Sequence, residues 1–249
     1  MRKGVKFYLA HGIFSEGVIM IHNNKPFVKA GYWGLFVIVV SVLLLFIFPS
    51  KMPSLPKGFV TPIIAFEFIQ TKAEVINMFG SEDIVMRDKL VRAMDLGNRL
   101  DYFYMCLYSI FLLMISVKCA ALSKNKYYYA GAALAMVVLA ADALENVQLL
   151  GITANLSNGN FDTQLQLLHW FTWIKWGGIA SIFLVLAPWF LKGSRFSKII
   201  GITGVLSFIL GAMAFMNRSM MNEIFSLSVA VMFVLMIIYC FTYKVNTNA

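Results

Sequence analysis

The sequence predicts an all-α, polytopic membrane protein with six transmembrane helices. Of its 249 residues, 60% are hydrophobic and only 13% are charged, whereas soluble domains carry about 25% charged residues. Six stretches approach or exceed the length of a membrane-spanning helix, which takes about 20 mostly apolar residues. A soluble globular protein is excluded, because a soluble fold of this length cannot bury so many apolar segments.

The predicted spans follow from apolar runs bounded by polar or charged residues. They cover residues 32–48, 100–122, 127–151, 167–191, 199–216 and 224–243. Together they form one transmembrane domain, residues 32–249. The N-terminal segment, residues 1–31, precedes it, and its pattern allows either a small hairpin or a helix lying at the membrane surface.

The distribution of basic residues predicts the orientation. Lysine and arginine are frequent in the N-terminal segment and after the second, fourth and sixth spans, whereas the loop 152–166 contains none. Because basic residues accumulate in cytoplasmic loops, both termini are expected in the cytoplasm, in a plasma (inner) membrane. The net charge of +9 is therefore read as a topology signal. The expected partners are membrane lipids, with no nucleic acid.

The long first external loop, residues 49–99, carries signals for short helices. Thr61 precedes a proline, which is typical of a helix start, and Thr71 with Glu74 forms a capping-box pattern. A third start follows at residues 81–83. The many apolar residues predict amphipathic helices in the membrane interface. Two interpretations stay open, a surface loop and a functional lid.

Charged side chains inside the predicted spans are the strongest indication of a site. Asp142, Glu145 and Asn146 stand at i, i+3 and i+4 in the third span, so they share one helical face. Lys175 lies inside the fourth span. Each charge costs about 2.5 to 3.5 kcal/mol at the centre of an inserted helix, so a compensating arrangement is expected.

The short loop between the third and fourth spans predicts that they form an antiparallel hairpin. Matching residue 151 with residue 166 places Asp142 opposite Lys175 and Glu145 level with Thr172, with His169 nearer the outer surface. Two carboxylates against one ammonium leave one carboxylate to be protonated or to find another cation. Arg99 is the candidate for that cation.

Aromatic and polar residues of the neighbouring segments complete the predicted pocket. Asp101, Tyr104 and Tyr108 follow one face of the second span. Trp173 and Trp176 lie deeper than interfacial tryptophans usually do, and they either wall the site or pack against other helices. The loop contributes one possible rim residue, Glu67.

Cofactor and enzyme chemistry receive little support from the sequence. The three cysteines show no CxxC spacing, and His169 is the only intramembrane histidine, so neither a metal site nor a bis-histidine haem is expected. A retinal protein would have seven spans. No catalytic motif accompanies Asp142, Glu145 and Lys175, so the assignment leans against an enzyme.

The favoured function is the binding or handling of an amphiphilic, lipid-like ligand in a charged pocket in the outer half of the bundle. One alternative is a proton- or cation-coupled transporter that uses Asp142, Glu145 and Lys175. The other is a structural or accessory membrane subunit whose charges fix helix packing. The oligomeric state does not follow from the sequence.

Overall fold

The computed structural model describes residues 25–80 and 83–245, and these residues form α-helices and connecting segments without a β-strand. The helices are α1 (Val28–Ile47), α2 (Pro62–Glu67), α3 (Lys72–Phe79), α4 (Ile84–Ser123), α5 (Tyr129–Ala154), α6 (Asp162–Leu191), α7 (Arg195–Met216) and α8 (Met220–Thr242). The predicted all-α class is confirmed.

Six of these helices, α1 and α4 to α8, are long and apolar enough to cross a membrane. This confirms the prediction of a multi-pass membrane protein with six candidate spans. The side on which the termini lie, and the identity of the membrane, stay predictions.

The observed helices extend beyond the predicted spans at most of their ends, and two of these differences change the organisation of the chain. The third loop helix and the second span form one 40-residue helix, α4. This segment contains no proline, and its only glycine, Gly97, is buried against the ring of Phe48, so nothing interrupts the helix. α1 begins at Val28, inside the predicted N-terminal segment. The hairpin or surface helix predicted there falls mainly on residues 1–24, outside the described residues.

The six long helices form a closed ring. Each long helix packs against the next one along the chain, and α1 also packs against α8. Short connections explain this order, since consecutive antiparallel helices bury their apolar faces against one another. α1 contacts only α4 and α8 extensively, and much of its surface is exposed.

The two short helices, α2 and α3, lie across one end of the ring, and we call residues 62–79 the cap. Thr71 and Glu74 form the reciprocal capping box that starts α3. Phe66 and Phe79 are fully buried and meet edge to face, at 5.2 Å between ring centroids. The cap therefore packs on the bundle through its own hydrophobic core. Its location in the membrane interface stays a prediction.

Candidate functional site

Lys175 is the centre of the buried polar site. Its side chain comes from α6, is 5% exposed, and lies within ion-pair distance of three carboxylates. Asp142 is at 3.3 Å, and Glu67, which comes from the cap, is at 3.1 Å. Glu145 is also in direct contact. The antiparallel register of α5 and α6 thus brings Asp142 to Lys175, as the length of their loop predicts.

Each of the three carboxylates also accepts a hydrogen bond from a neutral donor. The Tyr108 hydroxyl donates to Asp142. The Thr172 hydroxyl donates to Glu145 Oε1 at 2.6 Å, and the indole N–H of Trp176 donates to Glu67 Oε2 at 2.8 Å. Buried charges are costly unless they are paired and hydrogen bonded. These neutral donors therefore hold the carboxylates in place around the ammonium.

A fourth carboxylate, Asp101, extends the site along α4. Its Oδ2 accepts a hydrogen bond of 2.7 Å from the Asn146 amide. Tyr104 and Tyr108 stack edge to face at 5.4 Å, and the hydroxyl of Tyr104 accepts a bond of 2.9 Å from Ser41 of α1. We call Glu67, Asp101, Asp142, Glu145 and Lys175 the charged cluster.

The structure places three carboxylates against the Lys175 ammonium, whereas the sequence predicts two. Glu67 was expected at the rim, but its carboxylate reaches Lys175 directly. Burial raises the pKa of Glu67 above its usual range, although the Lys175 ammonium opposes this shift. Arg99, which was expected to supply a compensating cation, is exposed and forms no ion pair with the charged cluster among the described residues.

A cavity of about 280 Å³ adjoins the charged cluster. Glu67, Asp101, Asp142 and Lys175 line its polar end. Most of its remaining wall is apolar and comes from α1 and α8, where it includes Val37, Ile38, Val42, Val229, Ala230, Phe233 and Val234. Val42 and Val234 are 46% and 45% exposed, so the cavity opens sideways between α1 and α8.

Tight packing closes the bundle on the side of the cavity away from the cap. A Cβ atom at Gly34 of α1 would overlap Ile237 of α8, so the absence of a side chain permits this close helix contact. The buried rings of Phe111 and Phe183 pack around Phe233 at 5.8 and 5.9 Å. These contacts separate the charged cluster from the far end of the bundle.

The cap is attached to the bundle by polar contacts from α6, α8 and the segment before α8. Glu223 of α8 accepts hydrogen bonds from the backbone N–H groups of Val60 and Thr61, at 2.9 and 2.8 Å, and from the Thr61 hydroxyl at 2.8 Å. Lys72 of α3 pairs with Asp162 of α6 at 2.7 Å. These contacts hold Glu67 in position above Lys175.

Arg218 provides another attachment. Its Nη1 pairs with Glu74 at 2.8 Å, and its Nε donates to the Phe68 carbonyl at 2.6 Å. Burial raises the pKa of Glu74, but the bonds from Arg218 and from the backbone N–H groups of Gln70 and Thr71 outweigh it. The pKa of Glu74 therefore lies below its ordinary value.

The cap attachment is expected to weaken in acid. A carboxyl group whose pKa is lowered on folding stabilises the folded state above its unfolded pKa, and this contribution is lost as the pH falls through the folded pKa. The protection of the α3 amides against hydrogen exchange, relative to their intrinsic rates at each pH, should therefore fall below about pH 4.5. In Glu74→Gln, which retains the capping-box geometry, this acid step should disappear. An unchanged step in that variant would assign it to another group.

In the part of the chain that the structure describes, His169 and Trp173 form no hydrogen bond or ion pair with the charged cluster. His169 is half-buried and lines a small cavity beside the cap, together with Glu67 and Thr172. Trp173 packs on the rings of Phe68 and Phe215 at 5.1 and 5.0 Å, so its contacts are those of a packing residue. Trp176 instead lines the cavity.

Residues of α1 and α8 in the cavity were not identified from the sequence. Ser41, Ser226 and Val229 stand in apolar spans that carry no distinctive motif. Ser41, a polar residue in the middle of the most apolar part of α1, was the one feature of the sequence that could have indicated them.

Within the described residues, no group of His, Cys, Asp and Glu side chains is arranged to hold a metal ion.

The polar and apolar residues that line the cavity could together hold an amphiphilic molecule. The polar residues offer carboxylate and hydroxyl oxygens, and the rest of the wall is apolar.

The chain matches no protein-family model, no curated protein and no solved structure.

Proposed function

We propose that this protein binds an amphiphilic, lipid-like molecule, with the polar head at the charged cluster and the apolar chain between α1 and α8. The observation that carries the proposal is the single cavity that joins these two environments and opens sideways at Val42 and Val234. Ligand sites of this kind are mostly apolar, with a few convergent polar groups.

The size of the cavity supports a ligand that is only partly enclosed. Its volume of about 280 Å³ lies at the lower limit of small-molecule sites, which span about 300 to 1,000 Å³. A long alkyl chain would therefore extend through the opening between α1 and α8 into the surrounding lipid. With both termini in the cytoplasm of a cell bounded by this membrane, the opening faces the outer leaflet.

A proton- or cation-coupled transporter is the second candidate, and the excess of carboxylates over ammonium groups favours it. The rings of Phe111 and Phe183 weigh against it, because they pack on Phe233 at one wall of the cavity and fill the bundle there. Proton flux into liposomes that stops in Asp142→Asn would support transport. A purely structural role for the charges predicts neither flux nor a ligand.

The ligand proposal is tested by native mass spectrometry with lipid extraction on purified protein. Ala230→Phe places a ring in the cavity wall, and its matched control, Val231→Phe, changes the next residue of α8, which is exposed and outside the cavity. We expect a bound molecule in the wild type and in Val231→Phe. It should fall about tenfold in Ala230→Phe, a loss of about 1.4 kcal/mol, because the ring takes up cavity volume that the bound molecule would otherwise fill.

Two outcomes would contradict the proposal. One is the absence of any retained molecule from wild-type protein extracted under mild conditions. The other is equal retention by Ala230→Phe and Val231→Phe, which would place the molecule on the general lipid-facing surface.

A further inference from the structure

We propose that the head group of the bound amphiphile is a cation, in chemical terms a protonated amine. This inference rests on the proposed function and assigns the ligand class of the same cavity. It is argued from the charges around the cavity, their hydrogen bonds and the aromatic surfaces beside them.

The charged cluster contains more acid than its lysine can neutralise. Lys175 contacts Glu67, Asp142 and Glu145, so all of its pairing is directed to these three groups. Asp101 accepts its hydrogen bond from the neutral amide of Asn146. Four carboxylates thus lie around one ammonium, two of them buried (Asp142 and Glu145) and two partly buried (Glu67 and Asp101). Protons or a further cation must balance them, because uncompensated buried charge is costly.

Three of the four carboxylates lie on the side of Lys175 that borders the cavity. Glu67, Asp101 and Asp142 all line the cavity, whereas Glu145 does not and is held instead by Thr172. Asp142 is 1% exposed, and its Oδ1 lies 3.3 Å from the Lys175 ammonium, which it shares with Glu67 and Glu145. A buried carboxylate that shares one cation with two others and borders a cavity is suited to a cationic ligand.

The aromatic residues of the cavity fit the same head group. Tyr104, Tyr108 and Trp176 line the cavity next to the carboxylates. The faces of aromatic rings attract cations, and this attraction increases where water is excluded. A primary ammonium also brings three N–H donors, which match carboxylate acceptors without leaving an ammonium proton unpaired.

Other head groups fit the cavity less well. A carboxylate or phosphate would stand beside three acidic side chains, and like charges at such distances repel strongly in a buried site. A hydroxyl group can donate one hydrogen bond but leaves the charge imbalance as it is. The charges of the cavity therefore select an amine over an alcohol and an alcohol over an acid.

The experiment compares three probes that share one alkyl chain. Dodecylamine, dodecanol and dodecanoate, each carrying a photoreactive diazirine in the chain, are added to the full chain in nanodiscs of zwitterionic phosphatidylcholine. After irradiation, peptide mass spectrometry measures the labelling of α1 and α8. Each probe is competed with its own unreactive parent, and Ala230→Phe gives the background from probe dissolved in lipid.

We expect dodecylamine to label α1 and α8 about tenfold more efficiently than dodecanol, and dodecanoate to label least, since a hydrogen-bonded charge pair accounts for about that factor. Asp101→Asn, which keeps an oxygen to accept the bond from Asn146, should weaken dodecylamine about tenfold and leave dodecanol unchanged. Asp88→Asn removes the same charge from an exposed position of α4 and should change neither probe.

The failures are distinguishable. Labelling by dodecanol or dodecanoate that equals or exceeds labelling by dodecylamine would overturn the amine assignment and leave the proposed function standing. If none of the probes labels α1 or α8 above the Ala230→Phe background, both proposals fail. Thermal unfolding verifies that Asp101→Asn is folded, and Glu67→Gln, which retains an acceptor for Trp176, provides an independent variant with the same expected loss.

Discussion

Lys175→Met is expected to lower the free energy of unfolding by about 3 to 5 kcal/mol, the cost of removing one partner from a buried ion pair. The ammonium contacts three carboxylates, and the side chain is 5% exposed, so water cannot replace it. The free energy of unfolding is measured by titrating the protein in mixed micelles with a denaturing detergent. Lys192→Met, an exposed lysine at the end of the same helix, is the matched control and should change stability little.

The double variant Lys175→Met with Asp142→Asn separates pairing from general damage. Removing one of the carboxylates left without a partner should restore about 0.5 to 3 kcal/mol, the range of coupling between residues in contact. The rescue stays partial, because Glu67 and Glu145 still lose their ion-pair partner. Strictly additive losses would show that Asp142 and Lys175 do not interact energetically.

Glu223→Ala is expected to release the cap. This carboxylate is 8% exposed and accepts three hydrogen bonds from Val60 and Thr61. Hydrogen bonds to charged groups contribute about 1.5 to 3 kcal/mol each, without simple addition, so we expect a loss of about 3 kcal/mol in the free energy that holds the cap closed. Hydrogen exchange of the α2 and α3 amides measures this opening.

The conservative variant Glu223→Gln distinguishes the hydrogen bonds from the bulk of the side chain. It keeps an acceptor oxygen at nearly the same position, so the cap amides should exchange only slightly faster than in the wild type. Release of the cap also withdraws Glu67 from Lys175. Unchanged protection of α2 and α3 in Glu223→Ala would mean that the hydrophobic core around Phe66 and Phe79 holds the cap alone.

The spacing of residues along α5 and α6 is sufficient to predict much of the candidate site. Helical periodicity places Asp142, Glu145 and Asn146 on one face, and all three are buried in the structure. The length of the loop between α5 and α6 sets the depth of Lys175 relative to Asp142, since each residue of a helix advances by a constant rise. These relations involve neighbouring helices joined by a short connection.

The contributions of distant segments could not be predicted in the same way. Glu67 lies more than a hundred residues before Lys175, and its reach into the bundle depends on the cap core and on Glu223. Ser41 meets Tyr104 because α1 and α4 pack together, and no sequence period encodes that contact. Arg99 lies next to polar residues in the chain, but it is exposed and, among the described residues, pairs with no carboxylate of the charged cluster.

Span length and helical period are local properties, so the membrane class of the protein and the hairpin that carries its buried charges follow from the amino-acid sequence alone. Tertiary packing sets which of these groups meet: the Glu67 carboxylate contacts Lys175, Asp101 accepts a hydrogen bond from Asn146, and an apolar cavity lies between α1 and α8. The physical reason is that charge balance and cavity shape arise from contacts between segments far apart in the chain, which close packing alone brings together.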